Sequence, residues 1–254
     1  MSYLIAIPSY KRAETLKNKT LALLQKYGIS PELINIFVAN QEEKELYEKT
    51  LPKYYNQIIV GVVGMRAIRN FIQDYYPEGA NILNMDDDIQ ALQVRLNDQE
   101  CKELEDLSKL IEQGFELVKN KKCHLWGIYP LVNAMFMHTD ITFDLQYIIG
   151  AFWGVVNTHD KNTYVTLDDK EDFERTIKFY IKDGRVVRFN GIGVLSAYYT
   201  EPGGMQVERN EERVRHSGME LLNRYPMFCE WNRARKKHFE IRLVDKRKRK
   251  KNIV

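Results

Sequence analysis

ILNMDDDIQ (Ile82–Gln90) sets three consecutive aspartates directly behind an apolar run. Adjacent carboxylates repel one another and are costly to desolvate, so they need water, a cation or a helix N-terminus beside them. The run reads as a buried strand whose C-terminal end opens onto a site. If the backbone stays extended there, Asp86 and Asp88 point to one face and Asp87 to the other. Two convergent carboxylates form a hard oxygen site for Mg2+ or Mn2+ together with a substrate's phosphates. The competing reading makes them N-cap and first-turn acids of a following helix. Nucleases and nucleotidyltransferases use the same device, so the cluster by itself does not choose a reaction.

Upstream, YLIAIPSY (Tyr3–Tyr10), NIFVAN (Asn35–Asn40) and QIIVGVVG (Gln57–Gly64) are three further apolar strands. Helical stretches follow each of them at Glu14–Tyr27, Glu42–Lys49 and Met65–Asp74. Such alternation predicts a parallel sheet with helices on both faces, and ligands then bind beyond the strand C-termini, where strand order reverses. Ser9–Arg12, Asn40–Gln41, Gly64–Arg69 and Asp86–Asp88 all fall at that edge. Downstream the pattern predicts a helix over Glu100–Lys119 and strands with loops around Trp126–Met137 and Tyr147–Asn157. A helix over Glu171–Lys182, a hairpin within Asp183–Thr200, a helix over Val207–Tyr225 and a closing strand at Phe239–Val244 complete it. The organisation expected is one continuous α/β domain over 1–245, a nucleotide-binding half (1–90) merged with a second half (91–245), and a basic tail (246–254).

Three scattered cysteines with no CxxC spacing argue against a zinc site or a disulfide framework and for a reducing compartment. The first apolar run reads as a strand and not as a signal peptide, and no apolar run is long enough to span a bilayer. A cytoplasmic protein is expected, in a host's cytoplasm if the source is a virus or phage. The net charge of +3 hides an asymmetry. Between Arg233 and Lys251 eleven Lys/Arg face Glu240 and Asp245, which is +9, so the remainder carries 3 − 9 = −6. KRKRKK (Lys246–Lys251) attracts polyanions, whether nucleic acid or an acidic membrane surface, unless it is only a solvated end.

There is no GxxxxGK[ST] and no GxGxxG after the first strand, which excludes P-loop chemistry and argues against a dinucleotide site. PSYKR (Pro8–Arg12) places Lys11 and Arg12 where they reach phosphate or pyrimidine. In GMRAIRN (Gly64–Asn70), Arg66 and Arg69 lie three apart on one helical face and can clamp a diphosphate. PGGMQVER (Pro202–Arg209) offers Gly203 and Gly204 for close backbone approach to a sugar or phosphate, with Gln206 and Arg209 behind them. Trp153 can stack on a sugar or base, or belong to the core.

Together, strand–PSYKR, strand–Asn40, GMRAIRN and an apolar strand into DDD resemble the nucleotide-sugar half of GT-A fold glycosyltransferases, whose hallmark is a DxD metal motif at this point. IGAFWG (Ile149–Gly154) resembles that family's glycine–aromatic acceptor loop. DDKEDFE (Asp168–Glu174) resembles the "ED" at a helix start that carries its general base. WGIYPLVN, KEDFERTIKFYIKDGRVVRFN and EPGGMQVERN look most like the viral and phage members grouped as TET-associated, proposed to put sugars on hydroxymethylated pyrimidines in DNA.

The resemblance implies a Rossmann-type mixed sheet flanked by helices, with a merged acceptor-binding C-terminal half. It implies metal-dependent transfer from a nucleotide-diphosphate sugar, UDP-linked, with inversion. Pro8, Tyr10, Arg12, Asn40, Arg66, Arg69, Asp86 and Asp87 would bracket the nucleotide sugar. Asp86, Asp88 and a C-terminal His216 would hold Mn2+ or Mg2+. Gly150, Trp153, Gly204 and Arg209 would meet the acceptor. Asp172, with Asp169 and Glu171 as rivals, would be the base, and helix capping is its bland alternative. DNA would be engaged through modified bases and the basic tail. A glycan-acting transferase and a non-catalytic nucleic-acid-binding module remain the alternatives.

Overall fold

The computed structural model describes residues 2–196, 211–232 and 240–249. Its first half follows the predicted alternation. Strands β1 (Leu4–Pro8), β2 (Ile34–Val38), β3 (Gln57–Val60) and β4 (Asn81–Met85) pair in parallel in the order β3-β2-β1-β4. Helix α1 (Ala13–Leu16) continues through a π-helical turn (Lys17–Leu21) into α2 (Ala22–Lys26), with α3 (Gln41–Thr50) and α4 (Met65–Tyr75) between the later strands. The period of two explains the layering. Ile5, Ile7, Ile34, Ile36 and Leu83 face one core cluster with Leu16, Leu24 and Tyr47. Ala6, Phe37 and Ile82 face the opposite cluster with Ile68 and Ile72 of α4. The order of strands reverses between β1 and β4, so the loops after these two strands form the crevice.

Beyond Met85 the sequence expectation needs correcting. The three aspartates do not stay extended and do not cap a helix. They form a tight turn into β5 (Ile89–Arg95), which pairs with β6 (Cys101–Glu103), and the predicted long helix starts only at α5 (Leu107–Lys121). Asp106 ends the hairpin and caps α5, its side chain accepting from the Lys109 amide. Strands β7 (Leu125–Tyr129), β8 (Ile141–Thr142), β9 (Phe152–Val156) and β10 (Val187–Ser196), with α6 (Glu171–Asp183), extend the same sheet. β9 inserts antiparallel between β4 and β7, and β10 runs parallel to β7 and antiparallel to β5. The mixed sheet is therefore continuous across both halves.

The predicted hairpin in Asp183–Thr200 is, as far as the described residues run, one ten-residue strand with an irregularity after Phe189. Gly191 and Gly193 lie within that strand. In the fold they let backbone pass: an added Cβ would lie 3.0 Å from the His138 carbonyl oxygen and 2.8 Å from that of Leu131. α7 (Glu211–Arg224) and the β11 (Cys229–Trp231)–β12 (Ile241–Leu243) pair attach through a small cluster of Leu167, Ile177, Leu221, Cys229 and Ile241. Helix α8 (Lys246–Arg249) changes the picture of the tail. Lys246 donates to the carbonyls of Pro226 and Cys229, Arg247 pairs with Asp245 and Lys248 with Asp144, so these three cations are bound to the body.

Trp126 is the largest fully buried side chain. Its indole lies edge-on to Phe115, Phe152 and Phe189 and presses on Gly114 and Gly154. A Cβ at residue 154 would stand 2.0 Å from Trp126 Nε1. Gly154→Ala is therefore expected to cost about 2–3 kcal/mol of stability by overpacking. Urea unfolding followed by tryptophan fluorescence measures this, and an unshifted midpoint contradicts the packing.

Candidate active site

The turn Asp86–Asp88 is stitched from both sides. Thr20 in the π-helical turn donates to the Asp86 carbonyl at 2.7 Å and accepts from the Ile89 amide at 3.0 Å, which fixes the backbone across the bend. Asp87 points inward, where Ser9 Oγ donates to it at 2.6 Å and Arg12 Nη1 approaches at 3.3 Å. Arg12 also stands 3.7 Å from Asp88, which accepts from Ser196 Oγ at 2.5 Å. The loop after β1 is itself anchored: Glu43 accepts from the Lys11 amide at 2.9 Å, and Tyr47 OH accepts from the Arg12 amide at 2.9 Å. Lys11 takes a left-handed backbone (φ 56) to allow this. Pro8 closes β1 and Tyr10 follows, its ring 5.0 Å from Lys11 Nζ.

The second half of the site arrives through one arginine. Arg69 is 5% exposed; its Nη2 donates to Asp86 Oδ1 at 2.7 Å and to the Gly150 carbonyl at 3.0 Å, and its Nε faces Glu171 Oε1 at 3.8 Å. Glu171 also lies 3.7 Å from Arg175 Nη1, one helical turn along α6. The Asp86 amide donates to the Ala151 carbonyl at 2.9 Å. The aspartate turn, the 149–151 loop and the start of α6 thus meet at a single point.

The four acids around the start of α6 have separate jobs. Glu174 is fully buried and accepts from the Thr166 and Leu167 amides, holding the preceding loop. Asp169 pairs with Arg213 of α7 at 3.2 Å, and Glu171 is held by two arginines. Asp172 is partly exposed and caps nothing further along; it accepts from the Phe173 amide at 2.9 Å and from Tyr147 OH. Among the described residues no lysine or arginine pairs with it. Of the three candidates it is the one whose carboxylate is neither neutralised by a cation nor enclosed. Tyr147 stacks on Phe173 at 4.2 Å, and burial with the neighbouring Asp172 raises its phenol well above the usual range, so it stays a donor.

Five carboxylates (Asp86, Asp87, Asp88, Glu171, Asp172) share this region with three guanidiniums (Arg12, Arg69, Arg175). With all ionised the balance is 3 − 5 = −2. The cost is visible in the acids: burial and neighbouring carboxylates raise Asp86 and push Asp87 and Glu171 up to about 7. A divalent cation carries the two missing charges, and the oxygens of Asp86 and Asp88 are hard donors of the type Mg2+ and Mn2+ take. The donor chemistry of these oxygens suits the ion.

Other sequence expectations resolve differently. Trp153 is not an acceptor platform. It is 5% exposed on an interior strand, with the Arg175 guanidinium 3.9 Å from its ring and that of Arg69 at 5.8 Å. Arg66 does not clamp alongside Arg69: Arg69 turns to the sheet, while Arg66 reaches the Thr166 carbonyl (3.3 Å) and Asp168 (3.8 Å). Asn40 accepts from the Glu43 amide at 2.9 Å as the N-cap of α3. His216 does not join the aspartates. It is exposed on α7 and lines a cleft of about 870 Å³ with Asp168 and Asp169, and no group of three or more His, Cys, Asp or Glu among the described residues is placed to hold a metal. Gly150 does sit at the site, where an added Cβ would meet Glu171 Oε1 at 3.2 Å. Gly204 and Arg209 lie outside the described residues. Sequence reasoning missed Thr20, Tyr147, Arg175 and Ser196. Only Arg175 left a signal, its i,i+4 spacing from Glu171.

The pH response of the free protein follows from Glu171. Its folded value, about 7, lies above the ordinary 4.5, so the folded state holds a proton that the unfolded state loses first. Stability is therefore fully present below about pH 4.5 and declines as pH rises to about 7, by about 2–3 kcal/mol from this group. In Glu171→Gln this portion of the slope disappears. Urea midpoints between pH 5 and 8 without metal read it, and an unchanged slope refutes the burial argument.

No family model matches the chain, and no curated protein matches it. Solved structures do. S. aureus TarS 1–349 superposes with a TM-score of 0.51 at 15% identity, over 88% of this chain and 66% of that one. Its complex with UDP gives 0.54 at 16% identity with the same coverage. The mannosyltransferase PcManGT from Pyrobaculum calidifontis, in complex with GDP-Man and Mn2+, gives 0.56 at 9% identity, over 87% of this chain and 64% of that one. The chain thus spans just under two thirds of these solved chains, and 40% of a longer TarS chain, and shares with them the GT-A-type mixed α/β fold. No helix among the described residues is long and apolar enough to cross a membrane.

Proposed function

We propose that the protein is a metal-dependent, inverting glycosyltransferase that moves a sugar from a nucleotide diphosphate, UDP in our reading, to a hydroxyl acceptor. The observation that carries this reading is the deficit of two positive charges where the aspartate turn meets α6. Asp86 and Asp88 would hold Mn2+ or Mg2+, with Arg12 beside them for the nucleotide's phosphates. When bound, the cation neutralises charge developing on the leaving diphosphate. Asp172 takes the acceptor's hydroxyl proton as the acceptor oxygen bonds to the anomeric carbon and the carbon–phosphate-oxygen bond breaks. Tyr147 donates to Asp172 and fixes the carboxylate's orientation. Attack from the face opposite the leaving group inverts the centre.

For the acceptor we favour a hydroxymethylated pyrimidine in DNA, modified in the cytoplasm. The likeness of the WGIYPLVN, KEDFERTIKFYIKDGRVVRFN and EPGGMQVERN blocks supports this. The basic tail contributes less than its composition promises, because Lys246, Arg247 and Lys248 are already bonded. Thermal unfolding with UDP or GDP, with and without Mn2+, tests the donor half. Saturating nucleotide with metal should stabilise by about 2–4 kcal/mol, and no response to any nucleotide rejects the enzyme reading. Mass spectrometry of hydroxymethylated DNA and of simple glycans after incubation with donor sugars tests the acceptor.

A further inference from the structure

On the side of the sheet built by β7, β8 and β10 lies an open cavity of about 650 Å³ that the reaction just described does not use. Its walls include Arg95, Tyr129, Phe136, Asp140, Arg188 and Asn190. Arg188 is partly buried; its Nε donates to Asn190 Oδ1 at 2.7 Å and its Nη1 to the Tyr147 carbonyl at 3.2 Å. Its guanidinium lies 5.2 Å from the centre of the Tyr129 ring. Among the described residues no carboxylate pairs with it, and the cavity's own Asp140 accepts from the Asn190 amide at 3.2 Å. Burial pulls the guanidinium down to about 10 against the opposing charge of Asp140, so it stays charged at neutral pH with no acid of the described residues in ion-pair contact. Arg95, by contrast, is engaged with the Ala134 carbonyl and Asp98. At the rim, Phe136 is 59% exposed, beside Met135 at 71% and Leu131 at 49%.

A guanidinium with no acid in ion-pair contact recognises an anion, and the exposed flat ring of Phe136 recognises a planar group. Hydrogen bonds link the cavity to the candidate base: the residue whose carbonyl Arg188 holds is Tyr147, whose hydroxyl bonds Asp172. We propose that this cavity is the acceptor-strand subsite, taking a backbone phosphodiester of a single-stranded or unstacked nucleic acid on Arg188 with the adjoining base against Phe136. The inference rests on the reading that the acceptor is nucleic acid. An aromatic rim favours a strand that carries bases over a ringless polyol-phosphate polymer, whose units have no face to stack.

Direct binding separates the two claims, because it needs no sugar transfer. A fluorescent single-stranded oligonucleotide carrying hydroxymethylcytosine is titrated with the protein by anisotropy across salt concentrations. Arg188→Gln should weaken binding at least tenfold and reduce the magnitude of the logarithmic salt slope by about one, as loss of one phosphate contact requires. Phe136→Ala should weaken it about tenfold without changing the slope. Both should keep the wild-type response to UDP with Mn2+. If Arg188→Gln does not fold, Phe136→Ala reads the same cavity, since Phe136 is exposed. Unchanged affinity in these variants overturns the subsite even if DNA proves to be the acceptor. Equal competition by ringless poly(glycerol phosphate) overturns the choice of nucleic acid. Strong, Arg188-dependent DNA binding without sugar transfer upholds the subsite and rejects the transferase reading alone.

Discussion

Asp88→Asn and Asp86→Asn should each lower sugar transfer by about a thousandfold, some 4 kcal/mol of barrier, and abolish the Mn2+-dependent response to UDP. Asp88→Asn should leave the metal-free fold as stable as before or more so, whereas Asp86→Asn also gives up the 2.7 Å bond to buried Arg69. This second expectation follows from the charge balance. Three guanidiniums face five carboxylates, and Asp86 is already pushed up by burial and by Asp88. At Asp88, removing one negative charge relieves repulsion that Arg12, 3.7 Å away, offsets only in part. An acid retained for its ion pairs would do the opposite and destabilise on removal. Asp87→Asn is the internal comparison. Its carboxylate is bonded to Ser9 and Arg12, so its loss loosens the loop after β1 instead of emptying the cation site. Manganese titration by calorimetry together with melting temperatures distinguishes these behaviours. An Asp88→Asn variant that keeps its full manganese-dependent stabilisation removes the basis for the metal site.

The front of the molecule was legible because buried parallel strands write themselves as apolar runs, and polar residues then collect at their C-terminal ends. Ser9, Arg12, Arg69 and the aspartates converge as that edge predicted. The turn at Asp86–Asp88 was not legible, because the element behind it is a strand whose register is set by distant β10 and not by local sequence. The hairpin expected within Asp183–Thr200 fails for a related reason: glycine permits both a turn and a close crossing, and at Gly191 and Gly193 only the position of His138 and Leu131 tells which. Trp153 was ambiguous in the same way. Its partners Arg69 and Arg175 sit 84 and 22 residues away in the chain, and only their convergence turns a stacking surface into core. Tyr147 carried no signal, since a tyrosine's reach to a carboxylate is a property of two loops meeting.

Asp172→Asn should reduce turnover by about a thousandfold while leaving the UDP–Mn2+ response intact, because the carboxylate touches neither the aspartate turn nor its arginines. The split matters: a loss confined to turnover marks a group that acts on the acceptor's proton, whereas a loss of donor affinity would make it part of the cation site. Tyr147→Phe should cost less, about tenfold, since it removes the donor that orients the base and leaves the base in place. Combining the two should cost no more than Asp172→Asn alone, as expected when one residue acts through the other. Glu171→Gln sharpens the assignment, because Glu171 is buried and its Oε1 faces both Arg69 and Arg175. If Glu171→Gln rather than Asp172→Asn loses turnover at unchanged donor affinity, the proton goes to the buried acid. A base enclosed by two guanidiniums could not meet an incoming hydroxyl without a rearrangement of α6. The anomeric configuration of the product, read by NMR, joins the same test: an inverted centre requires a base on the acceptor side, and retention would leave Asp172 without that role.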